Sequence, residues 1–193
     1  MIFVTLGTHG QPFGRALDLV AELAPDEDLL IQRGTTCERR DLIDASWVDY
    51  LPWEELLESM RRADVVISHG GVGSMVTAIR VGKKPVVLPR LAKFGEHVDD
   101  HQVQLAKRFA QSNLSVVCLP GDSLTGPVAE ARASGPPRIS AKRNGLRAAV
   151  AEAALGPVNS EADSRNGSVD LHVGSSIPTP SELGYHYVYG TDR

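Results

Sequence analysis

Cysteine is almost missing from this chain: of 193 residues only Cys37 and Cys118 carry a thiol, far apart and without a CxxC spacing. A disulfide framework is therefore not expected, and a reducing, cytoplasmic setting is. Excess positive charge is lacking too. Lysine and arginine number 20 against 24 aspartates and glutamates, a balance of −4, which excludes the broadly basic footprint of a general nucleic-acid binder. No apolar run approaches the roughly 20 residues that span a bilayer. The opening, Met1-Ile-Phe-Val-Thr-Leu-Gly7, has no basic leader and reads as a first strand instead of a signal peptide. No internal repeat is visible. The length suits one domain of ordinary size plus a tail, with a real core.

What is present is an alternation. Short apolar runs over 2–6, 29–32, 47–51, 65–67, 86–88 and 115–119 read as strands. Between them lie helical patterns over 13–23, 52–62, 73–81 and 98–110, and further candidates over 124–133 and 146–155. Glu54 and Glu55 fall in a first helical turn, where the helix dipole favours negative charge. Strands alternating with helices of this size predict an α/β fold, a doubly wound parallel sheet in a single Rossmann-like domain over 1–155. From 156 to 193 the chain is serine, glycine, proline and scattered charge, too poor in apolar residues to offset the entropy of ordering it. That stretch reads as a flexible tail.

The most informative segment is Ile67-Ser-His-Gly-Gly-Val-Gly-Ser74, where a strand meets three glycines within four positions and then a helix. Unpaired N–H groups at a helix start, with the positive dipole end beside them and no side chains in the way, suit a phosphate. A second turn, Gly7-Thr-His-Gly10, follows the first strand but lacks the GxGxxG spacing of a dinucleotide site. Arg90 and Lys93 follow a strand end, where ligands bind in open α/β sheets, and either would add positive charge.

Three blocks in this order and spacing carry a family resemblance: 3–13 with Gly7-Thr-His9 and Gln11-Pro-Phe13, 63–74 with His69-Gly-Gly-Val-Gly-Ser74, and 87–102 with Gly95-Glu-His-Val-Asp-Asp-His-Gln102. Together they resemble the C-terminal domain of glycosyltransferase family 28, most clearly over 1–130, in its small stand-alone form. The resemblance implies half of a GT-B architecture, acting as the donor-binding subunit of a two-component glycosyltransferase. It implies transfer of a hexose or N-acetylhexosamine from a UDP-sugar to a lipid-linked acceptor held by a membrane-associated partner subunit, in polysaccharide or glycan biosynthesis. It also implies that the chain is cytoplasmic, or peripheral at the inner membrane face through that partner.

Carried over by position, the resemblance places Gly7, Thr8, His9 and Gly10 against the diphosphate. His69, Gly70, Gly71, Gly73 and Ser74 form the nucleotide and sugar-phosphate cradle, and His101 with Gln102 lie near the donor sugar. Arg90 offers positive charge. Thr77 stands where relatives carry a glutamate that holds the ribose hydroxyls, and Gly10 where bacterial relatives have an acid. No cofactor is implied, since the UDP-sugar is the donor substrate. No catalytic base is identifiable; in this family it is expected on the acceptor-binding half.

Each feature also has a plainer reading. The glycine loop alone suits tight strand–helix packing, and His9 suits a turn that pairs with its own backbone. His97 and His101 have the spacing of a zinc pair, but no HExxH glutamate or third ligand is evident, Asp99 and Asp100 read as first-turn helix acids, and no metal is expected. Trp47 and Trp53 read as core or partner-facing. Arg138, Lys142, Arg143 and Arg147 read as a solvated face, with an anionic membrane or acidic partner as the alternative. The second functional class is a non-catalytic nucleotide-sugar-binding or regulatory module, motivated by Thr77. A UDP-sugar epimerase shares the fold but needs a second domain. A dehydrogenase would need the dinucleotide fingerprint and an acid about 20 residues later.

Overall fold

The computed structural model of the protein describes residues 1–155, apart from 43 and 140–144. Along the chain come β1 (Ile2–Thr5), α1 (Gly14–Val20), β2 (Leu29–Gln32), β3 (Ser46–Val48), α2 (Trp53–Arg62) and β4 (Val65–His69). They are followed by α3 (Val72–Arg80), β5 (Val86–Leu88), α4 (His101–Gln111), β6 (Val116–Val117), α5 (Thr125–Ser134) and α6 (Gly145–Leu155). The strands form one sheet in the order β3-β2-β1-β4-β5-β6, and every pairing is parallel.

The near-continuous apolar strands explain this arrangement, because each must bury both faces. Ile2, Val4, Leu6, Val65, Ile67, Val86 and Leu88 point to one side, where Leu17 and Val20 of α1 and Val128 of α5 cover them. Phe3 and Val66 point to the other, against Met60 of α2 and Ala78 of α3. Val87 packs there with Met75 and Ile79 of α3, Ala106 and Phe109 of α4 and Ala153 of α6. Each such aliphatic side chain contributes about 1.5–3 kcal/mol by leaving water. The doubly wound parallel sheet expected from the alternation is what the sequence folds into.

Several boundaries differ from expectation, among them those of β3, which ends at Val48 and not 51, and β4, which reaches His69; three others stand out. The first helix runs only from Gly14 to Val20; at its start Thr36 Oγ1 accepts the N–H of Phe13 and holds that residue in the preceding loop. The fourth starts at His101, not 98. There Asp100 accepts the N–H of Ala92 and Asp99 accepts the N–H of His101, and carboxylates that bond nearby amides compete with helix formation. Val98 is 75 % exposed, so no apolar contact pulls it into the helix. Strand β6 pairs at only two positions, Val116 and Val117. The expected tail over 156–193, with Lys142 and Arg143 of the basic cluster, lies outside the described residues.

One consequence of strand order positions the site. From β1 the chain winds outward through β2 and β3, then returns to β4 and winds the opposite way through β5 and β6. Loops leaving β1 and β4 therefore diverge, and a crevice opens beyond the carboxyl ends of those two strands, where open α/β sheets bind ligands.

Candidate functional site

At that crevice the loops after β1 and β4 meet through a single side chain. The imidazole of His69, the last residue of β4, lies between two glycines. A Cβ on Gly7 would sit 2.6 Å from His69 Cε1, and one on Gly71 would sit 2.4 Å from Nε2. Gly7 also has φ +83°, a left-handed conformation that glycine adopts without cost. Gly34, just past β2, completes the stack with φ +60°, where a Cβ would lie 2.4 Å from the carbonyl oxygen of Gly7. Gly70 packs on the other side against Gln102, whose Cβ would be 2.8 Å from a Cβ at that position. Every one of these glycines is required by contact with protein, and together they leave the rim of the crevice as bare backbone.

The His69 ring is held neutral. Burial first, then the positive charge of Arg90, lowers its pKa from 6.5 to about 4. Among the described residues its buried Nδ1 finds no hydrogen-bond partner. Gly71 is the N-cap of α3, and among the described residues no side chain caps that helix. The first amides of α3, at Val72, Gly73 and Ser74, thus start a helix at the crevice with the positive end of its dipole outward.

The loop after β1 is pinned from β2. Thr35 Oγ1 donates to the carbonyls of His9 (3.1 Å) and Gly10 (3.2 Å). Thr8, His9 and Gly10 are exposed at the rim, and the N–H of Gln11 reaches His9 Nδ1 at 3.4 Å. Burial, then His97 and Arg90, lower the pKa of His9, so it too favours the neutral form.

Beneath the rim lies a polar strut. Arg90, 1 % exposed, is the bulkiest of the fully buried side chains. It donates from NH1 to the carbonyls of Gln11 (2.7 Å) and Glu96 (3.0 Å), and from NH2 to that of Leu6 (2.8 Å). Its guanidinium also lies 4.7 Å from the centre of the Phe13 ring. Burial lowers its pKa to about 10, with Glu96 opposing; it stays charged at neutral pH. Arg15 grips Glu96 with a two-pronged contact, 2.9 Å from Nε to Oε1 and 2.9 Å from NH2 to Oε2, and donates to the Pro89 carbonyl at 2.8 Å. Glu96 accepts the Leu91 N–H at 3.0 Å, and Gln102 Oε1 accepts the Arg90 N–H at 3.1 Å. The strut ties the ends of β1 and β5 to the start of α4.

Of the residues expected at the site, the structure gathers Gly7, Thr8, His9, Gly10, His69, Gly70, Gly71, Gly73 and Ser74 around the crevice. His101 and Gln102 begin α4 beside it. Two are turned elsewhere. Arg90 turns both terminal nitrogens to backbone carbonyls, so its charge acts from below, where it is felt at His9 and His69. Thr77 is buried, and its hydroxyl donates to the Gly73 carbonyl at 2.7 Å, a bond within its own helix that leaves no hydrogen to offer a ribose. Sequence reasoning missed Gly34, Thr35, Arg15 and Glu96. Gly34 carried a signal, a glycine two residues past a buried strand; the Arg15–Glu96 pair, 81 residues apart, carried none.

Comparison with known proteins agrees with this geometry. Over 71 residues, 37% of this chain and 34% of the relative, the sequence is 35% identical to the UDP-N-acetylglucosamine transferase subunit ALG13 of Yarrowia lipolytica. The chain thus spans only 34% of that relative's length. Among solved structures, ALG13 in solution is similar with a TM-score of 0.51 at 22% identity, over 77% of this chain and 94% of that one. The calicheamicin glycosyltransferase CalG4 gives 0.53 at 14% identity, over 80% of this chain and 38% of that one. The kitacinnamycin glycosyltransferase gives 0.52 at 17% identity, with 80% and 38% covered. At such identities the structural likenesses show a shared fold. The family match is more specific: residues 1–154 match the glycosyltransferase family 28 C-terminal domain, and the chain belongs to that family.

Proposed function

We propose that this chain is the donor-binding subunit of a two-component glycosyltransferase that uses a UDP-sugar. The observation that carries the reading is the glycine cradle around His69. It brings bare backbone and the start of α3 to the crevice that strand order opens. A diphosphate fits such a cradle because amides and a helix dipole stabilise its charge without reorganising. In the transfer, an acceptor hydroxyl attacks the anomeric carbon while the bond to the diphosphate oxygen breaks. UDP leaves with the bonding pair, and the hydroxyl proton passes to a general base.

That base, and the acceptor site, belong in this reading to a partner. CalG4 is more than twice the length matched here, with 38% of its chain covered. In this reading a membrane-associated partner presents a lipid-linked acceptor and holds this chain at the inner membrane face. Among the described residues no helix is long and apolar enough to cross a membrane. The transferred group in this reading is a hexose or N-acetylhexosamine.

The direct test is transfer of radiolabelled sugar from a UDP-sugar to lipid extract, using membranes that contain the candidate partner, with and without the full chain. Label should enter lipid only with both components, and not when Gly71→Trp replaces the wild type. The Thr77 hydroxyl, spent within α3, favours one rival: a nucleotide-sugar-binding module with no turnover. UDP binding without transfer in the presence of a partner that binds the chain would establish the rival instead.

A further inference from the structure

The loop between β5 and α4 gathers imidazoles and a carboxylate at the edge of the donor crevice. The rings of His97 and His101 lie 4.8 Å apart, edge to face, and that of His9 lies 4.9 Å from His97. Between the two histidines of the loop stands the carboxylate of Asp99. Its Oδ1 is 3.3 Å from His97 Nδ1 and in direct contact with His101 Nδ1. One ligand atom from each of His97, Asp99 and His101 lies within 4.8 Å of the others.

We propose that His97, Asp99 and His101 form a binding site for a divalent transition-metal ion, with zinc the best match. Two imidazoles and a carboxylate are ligands that zinc takes at about 2.0–2.2 Å, so in a tetrahedral site neighbouring ligand atoms stand about 3.3 Å apart. The His97–Asp99 separation has that value, whereas His101 Nδ1 touches the same oxygen and has to draw back to make room for an ion. The sequence reading against a metal rests on the lack of a third ligand and takes Asp99 for a first-turn helix acid. The fold answers that objection. α4 begins only at His101, and the turn before it swings Asp99 between the two rings.

The imidazoles of His9, His97 and His101 crowd together at the rim of the crevice. His97 Nδ1 accepts only a long 3.4 Å contact from the Asp99 N–H. The neighbouring charges are committed elsewhere: Asp100 accepts from Ala92 and Glu96 is held by Arg15. Among the described residues Asp99 makes no ion pair with a lysine or arginine. Three protein ligands leave one position open, as in zinc sites that exchange a water or a further ligand, and the His9 ring stands 4.9 Å from that of His97. An ion there ties the loop after β1 to the loop after β5.

Equilibrium dialysis of the untagged full chain against ZnCl2 tests this, with bound metal counted per chain. About one ion per chain should bind to the wild type, and His97→Ala and Asp99→Asn should each weaken it by on the order of tenfold or more. Should either variant misfold by circular dichroism, side-chain NMR of the wild type reads the site directly. Zinc should then shift the ring resonances of His97 and His101, and leave His69 in place. No bound ion, an ion held equally by both variants, or shifts confined to histidines outside the loop would each overturn the proposal.

Discussion

Gly71 lies so close to the imidazole of His69 that a Cβ there would be 2.4 Å from Nε2. The glycine at this position therefore answers to a protein neighbour and not to the backbone, since its φ is −77°, open to any residue. Gly71→Ala should push the ring aside, costing about 1–3 kcal/mol as an overpacked contact, and should weaken UDP binding by roughly tenfold or more as the rim moves. The double variant His69→Ala with Gly71→Ala should recover stability relative to additivity, because the clash needs both partners. Urea unfolding of the four proteins measures the coupling. Strict additivity would mean that the contact is relieved without cost.

His69 also gives the protein a pH signature. Its pKa is about 4 in the fold against an ordinary 6.5, so the unfolded chain takes up the proton first. The neutral ring's contribution is fully present above about pH 6.5 and is lost as pH falls from there towards about 4, in total on the order of 3 kcal/mol. His9, with its pKa also lowered, adds in the same direction. The midpoint of urea unfolding should drop between about pH 7 and about pH 5, and His69→Gln should flatten that dependence. An unchanged slope in the variant would show that the ring is solvated.

Arg90 serves three carbonyls, those of Leu6, Gln11 and Glu96. Arg90→Met should cost roughly 3 kcal/mol, because buried acceptors lose their donors. Arg90→Lys should recover only part, since one ammonium cannot span the same fork. Thermal unfolding monitored by circular dichroism would rank the three. A lysine variant as stable as wild type would reduce the residue to a point charge.

The Arg15–Glu96 pair is nearly out of water, with 18% and 5% of the two side chains exposed. Glu96→Gln keeps the shape but removes the charge that holds both the guanidinium and the Leu91 N–H, and should cost about 1–3 kcal/mol. Substrate binding should fall with it, since Arg15 also fixes the Pro89 carbonyl next to Arg90. Chemical denaturation reads the first effect and calorimetry the second.

How far all this was legible in the sequence follows from the range of each interaction. The sheet announced itself because strands such as Val65-Val66-Ile67, buried on both faces, must be continuously apolar. The glycine cradle was visible because backbone conformation and close approach restrict the residue at the position itself. Contacts across long separations left no such mark. That Arg90 would turn inward to Leu6, 84 residues away, could not be read from its place at a strand end, and a charge there was expected at the ligand. Likewise Asp99 passed for a helix acid, because only the late start of α4 places it between two histidines.

The central claim is a diphosphate site at the carboxyl ends of β1 and β4. Calorimetric titration of the purified full chain with UDP tests it most directly, with UMP and NAD as controls and EDTA present. The account predicts UDP bound well above UMP, NAD silent, and the UDP signal lost in Gly71→Trp. UDP bound no better than UMP, or bound equally by that variant, would contradict it.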